Sequence, residues 1–104
     1  MGYYALHTKF IVKESSRDEF ADVLLKAAKI LEENDDCVYY LISLSSNLSE
    51  VYVAEAWSSR GAAEASLQNN EIKRLIGQVM PLMTGQPEKL SETEIVGGKG
   101  FAVK

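Results

Sequence analysis

One cysteine, one histidine, one tryptophan and 2 prolines are all that 104 residues carry of those types. A lone thiol, Cys37, closes no disulfide within the chain and builds no cysteine metal cluster. His7 is the sole imidazole, so no set of metal ligands suggests itself, and no metal is expected. Basic charge is also scarce: 11 Lys and Arg face 15 Asp and Glu, for a net charge of −4. The cations are scattered among acids, which argues against nucleic acid as a partner. No stretch approaches the roughly 20 apolar residues that span a bilayer, so no membrane association is expected. The start, Met-Gly-Tyr-Tyr-Ala-Leu-His, lacks the basic segment and long apolar run of a secretory leader. A cytoplasmic protein is the expectation. Repeats and low-complexity segments are missing too. What remains is an ordinary globular composition, 46% hydrophobic and 25% charged. A chain this short makes one domain over residues 1–104, with a tail from about Gly97, and buries roughly 60–70% of its unfolded surface.

The stretch from Val51 to Leu67 organises the rest. Val51 to Trp57 is rich in β-branched and aromatic residues and reads as a strand. Ser58 and Ser59 then offer side-chain oxygens to the first amides of a short alanine-rich helix. Side chains alternate along a strand, so Val51, Val53, Glu55 and Trp57 share one face and Tyr52, Ala54 and Ala56 the other. A carboxylate and the only indole thus point the same way, beside a helix.

Tyr3 to Lys13 alternates as a first strand, with Tyr4, Leu6, Thr8, Phe10 and Val12 on its more apolar face. Ser16-Arg-Asp-Glu19 has capping-box spacing. Phe20, Val23, Leu24, Ala27, Ala28 and Leu31 follow at helical spacing and predict an amphipathic helix of about five turns, ending near Asn34-Asp35. A second strand, Cys37 to Ser45, is apolar on both faces: Val38, Tyr40, Ile42 and Leu44 against Cys37, Tyr39 and Leu41. Both its faces are therefore covered. The polar turn Ser46 to Glu50 predicts a hairpin with the third strand. Asn69-Asn70 restarts a helical pattern that Pro81 kinks or ends. Leu90 to Val96 alternates as a last strand. The order β-α-β-β-α-(α)-β is the split βαβ, ferredoxin-like arrangement: an α+β fold with a four-stranded antiparallel sheet and helices on one face. Helices cover one face only, and the apolar residues left on the other predict a homodimer that packs sheet on sheet.

Val12-Lys13 leading into a helix at Phe20, Cys37-Val-Tyr-Tyr40, Glu55-Ala-Trp57, and Ser66-Leu67 through Pro81-Leu82 resemble the antibiotic biosynthesis monooxygenase family. The resemblance runs from Leu6 to about Gly100. It implies a dimeric α+β barrel with a pocket between sheet and helices in each subunit. It also implies a cofactor-independent oxidation of a small quinol or phenol by molecular oxygen, with no bound cofactor. The alternative it leaves is a non-catalytic small-ligand-binding or stress-related dimer of the same fold. Members often carry His nine residues after the strand-end Trp, where this chain has Ser66. The haem-degrading branch uses Asn, Trp and His at positions that hold Thr8, Ser66 and Ile76 here, and isoleucine does not ligate iron.

In the enzyme reading Glu55 or His7 assists deprotonation of a small aromatic substrate, and Trp57, Tyr40, Phe20, Ser66, Leu67 and Met80 bind it. Each has a plainer reading. Trp57 is a core indole with its N–H satisfied locally. Glu55 is a buried ion pair with Arg74 or Lys9, or else a raised-pKa acid or base at a pocket. His7 lies opposite Phe10 and Val12 in parity and faces away from the helices. Phe20, Leu67, Met80 and Met83 read as core, Cys37 as a small buried hydrophobe. Gly97-Gly-Lys-Gly100 faintly suggests a phosphate loop, but that needs a helix after it and only four residues remain, so none is expected.

Overall fold

The computed structural model describes residues 2–100. Along them run β1 (Tyr3–Ile11), α1 (Arg17–Leu31), β2 (Cys37–Leu44), β3 (Glu50–Trp57), α2 (Arg60–Ser66), α3 (Asn70–Val79) and β4 (Glu88–Ile95), with 3-10 turns at Glu14–Ser16 and Met80–Leu82. The sheet order is β2-β3-β1-β4 with antiparallel neighbours throughout. This is the ferredoxin-like α+β fold. The tail beginning at Gly97 is described as far as Gly100; the last four positions lie outside the described residues. Gly97 and Gly98 end β4 at φ +148° and +145°, backbone that residues with a Cβ rarely adopt.

The core lies on one face of the sheet. Val12, Val51, Val53 and Trp57 meet Phe20, Val23, Leu24, Ala27 and Leu31 of α1 and Ile72, Leu75 and Val79 of α3. Burying each of these larger side chains is worth about 1.5–3 kcal/mol.

Local chemistry shifts several boundaries. β1 stops at Ile11, and Val12 and Lys13 turn their amides to Ser49 O and Leu82 O. α1 is 15 residues, nearer four turns than five. Asn34 accepts the amides of Asp36 on Oδ1 and of Cys37 on its carbonyl, which reverses the chain into β2. The capping box is not made: Ser16 closes a 3-10 turn at φ −108°, ψ 2° and its hydroxyl caps nothing. The turn itself already satisfies the amides of Ser16 and Arg17. Of the two serines before α2, Ser59 is the cap, accepting from Ala62 N at 3.0 Å. Ser58 instead ties to Asp36 Oδ1 at 2.7 Å. Asn69 caps α3 through the amides of Glu71 and Ile72.

A bulge near the start of β2 changes the facing of one residue. Cys37 stands opposite Trp57 and Tyr39 opposite Ala56, so Val38 is the extra residue. Cys37 therefore joins Tyr40 and Ile42 against the core instead of sharing a face with Tyr39 and Leu41. Among the described residues nothing covers the other side of β2: Leu41 is 56% exposed.

Candidate functional site

The layer between sheet and helices does not close completely. A cavity of about 360 Å³ remains, floored by β1, β3 and Tyr40 of β2 and roofed by α1, α2, α3 and the turn after α3. Its wall is apolar over Leu6, Phe10, Leu24, Leu75 and Val79, and it holds no Lys or Arg. Strand parity puts Tyr4, Leu6, Thr8 and Phe10 on this face, and α3 contributes Ile72, Leu75, Ile76 and Val79 from its buried and flanking stripe.

Glu55 stands in that wall, opposite Leu6 on β1 and Tyr40 on β2. The Trp57 indole N–H donates to its Oε1 at 2.8 Å. The two side chains lie two apart on β3 and so share a face. No cation comes within ion-pair range of Glu55 among the described residues. Lys9 belongs to the opposite face, where it pairs with Glu88 at 3.0 Å and Glu50 at 3.7 Å. Arg74 sits on the exposed side of α3. Burial raises the Glu55 carboxyl above the ordinary range, and the Trp57 hydrogen bond only partly offsets this. Burial, with the Glu55 charge second, also raises the neighbouring Tyr40 phenol, and the Cys37 thiol to about 11.

At the mouth, the Tyr4 hydroxyl donates to Glu92 Oε2. That bond, more than burial, lifts Tyr4 to about 12 and lowers Glu92. Arg60, at the start of α2, reaches Glu92 at 3.7 Å and Glu64 at 3.8 Å.

Of the residues singled out by sequence, Glu55, Trp57, Tyr40, Ser66, Leu67 and Met80 all line the cavity. Trp57 is both core and wall, only 1% exposed. Phe20 is fully buried beneath the lining, its ring 5.4 Å from that of Phe10. His7 lies on the opposite face, its ring 5.8 Å from Tyr52. Ser66 spends its hydroxyl on Ala63 O at 2.7 Å. Thr8, Ser66 and Ile76, the positions that differ from the haem-degrading pattern, all border the cavity. Sequence reasoning missed Tyr4, Leu6 and Phe10 as lining residues, although their alternation with Thr8 already placed them on the right face.

The family model described as antibiotic biosynthesis monooxygenase matches residues 3–78. A candidate antibiotic biosynthesis monooxygenase from Nitrosomonas europaea superposes with a TM-score of 0.85 at 14% identity, over 92% of this chain and 93% of its own. Another from Caulobacter crescentus gives 0.83 at 22% identity, covering 92% of each chain. A conserved protein from Methanosarcina mazei gives 0.79 at 16% identity, over 86% of this chain and 89% of its own. At such identities the likeness is one of fold. No curated protein matches the sequence.

Proposed function

The chain belongs to the antibiotic biosynthesis monooxygenase family, and we propose that it oxidises a small quinol or phenol with molecular oxygen, without a bound cofactor. The observation that carries this reading is an apolar cavity of about 360 Å³ whose wall holds one carboxylate without a counter-ion. That size suits a flat ligand of two or three rings.

Glu55 is the group for proton transfer. Its raised affinity for a proton makes its ionised form a better base toward a phenol than an exposed carboxylate. The phenolate so formed passes one electron to oxygen, giving a ring radical and superoxide, which join in a new C–O bond. The resulting hydroperoxide loses water and leaves a quinone carbonyl. One oxygen atom enters the product; the other leaves as water, taking the proton held by Glu55 and the hydrogen lost from the oxygenated ring carbon. Trp57 fixes the carboxylate and offers its ring to the ligand. His7, on the far face, has no part in these steps. The sheet face bearing His7 and Leu41 is proposed to pack on its copy in a homodimer, and the chain is read as one cytoplasmic domain.

A non-catalytic binder of the same fold is the second reading, favoured by Ser66 at the frequent histidine position with its hydroxyl already engaged. Titration of quinols and phenols with Trp57 fluorescence and oxygen uptake in one cuvette separates the two. Saturable quenching with oxygen consumption is expected, and Trp57→Phe should weaken binding more than a core loss of about 1–3 kcal/mol in stability accounts for. Quenching without oxygen consumption makes the protein a binder. No quenching by any such ligand removes the site.

A further inference from the structure

A hydrogen-bond donor and an acceptor stand side by side in the cavity wall, and the protein uses neither. Tyr40 and Glu55 are directly opposite across β2 and β3, which sets their Cβ atoms about 5 Å apart. Both border the cavity. The Trp57 indole occupies Glu55 Oε1. Glu55 Oε2 and the Tyr40 hydroxyl have no hydrogen-bond partner among the described residues, yet no fully buried polar side-chain atom there is left orphaned. Both groups therefore open onto the cavity space. The Tyr40 phenol, pushed up by burial and by the Glu55 charge, stays protonated and acts as a donor. Other hydroxyls are spent or distant: Ser66 on Ala63, Tyr4 on Glu92, with Thr8 further along the sheet opposite Val53.

We propose that Tyr40 and Glu55 form a two-point recognition pair, selecting an uncharged aromatic with two oxygens on adjacent ring carbons. This rests on the reading of the cavity given above and narrows its substrate class. One hydroxyl donates to Glu55 Oε2, and the neighbouring oxygen accepts from Tyr40. A ligand carrying a carboxylate at that edge is rejected, because it would meet the Glu55 charge with no cation in the wall. Arg60, not itself a lining residue, is already held by Glu64 and Glu92.

Three ligands on one bicyclic frame test the pair by Trp57 quenching at neutral pH: 2,3-dihydroxynaphthalene, 2-naphthol and 3-hydroxy-2-naphthoate. The diol should bind wild type about fivefold more tightly than 2-naphthol, the weight of one neutral hydrogen bond. Tyr40→Phe should erase that preference and leave 2-naphthol within about twofold, since only one hydroxyl is lost. The naphthoate should bind at least about tenfold more weakly than the diol and recover in Glu55→Gln. Equal weakening of diol and 2-naphthol in Tyr40→Phe reduces Tyr40 to a wall and overturns the pair. Naphthoate binding as tight as the diol in wild type overturns the charge selection. If no naphthol binds at all, the aromatic site itself falls, and the pair with it.

Discussion

Glu55 is a carboxyl in a wall that offers it no cation. Burial makes the folded state hold its proton more tightly than the unfolded chain does, the Trp57 N–H notwithstanding. The stabilisation from holding that proton is complete below the ordinary value of 4.5 and is lost as pH rises through the folded pKa. Glu55→Gln keeps an oxygen for the indole and removes the ionisation. The variant should melt with wild type at pH ~4 and above it at pH ~8, by the same linkage. Melting curves across that range check it; a variant that melts lower at the higher pH would mean that an unrecognised partner stabilises the carboxylate. The same substitution should slow oxygen uptake, so the residue trades stability for chemistry.

Among the helices, the starts of α1 and α3 are built differently: the capping-box spacing before α1 goes unused, while Asn69 caps α3. Asn69 Oδ1 accepts the amides of Glu71 at 2.8 Å and Ile72 at 3.1 Å. Ser16 caps nothing, and the turn before it takes the amides of Ser16 and Arg17 instead. Asn69→Ala should therefore cost about 1 kcal/mol. Ser16→Ala should stay within about 0.5 kcal/mol of wild type. Urea midpoints of the two variants read the difference, and equal losses would contradict the assignment of the caps. α3 carries Ile72, Leu75, Ile76 and Val79 into the cavity wall, so fraying its first turn loosens the roof of the site as well.

On the scale of the whole molecule, the helices cover one face of the sheet and leave the other to find its own cover. Leu41, 56% exposed, lies there with Tyr39, Tyr52 and His7, beside the Lys9 pairs to Glu50 and Glu88. Two copies stacked through these faces should bury more than roughly 2,000 Å² in total, the range of obligate interfaces. Light scattering at micromolar concentration should give twice the mass of the 11.5 kDa chain. Leu41→Lys should shift the protein toward monomer by placing a charge within the contact, while Trp57, on the opposite face, keeps its emission. A wild-type mass of one chain would rule the dimer out.

What the sequence determined by itself was whatever depends on near neighbours. Period-two alternation placed Glu55 and Trp57 on one face of β3, and the order of elements was enough for the ferredoxin-like arrangement, because both follow from residues a few positions apart. Pro81 likewise marked the end of α3, which passes at Met80 into a 3-10 turn. Only the tertiary structure decided what depends on pairing between distant segments. The bulge at Val38 turns Cys37 toward Trp57, and no local pattern announces which residue a neighbouring strand will skip. The partner of Glu55 is the indole and not Lys9 or Arg74, since Lys9 faces the other side and Arg74 faces water. The open space itself is a difference between the volume that the sheet and its three helices enclose and the volume their side chains fill, a quantity set only once all of them have packed.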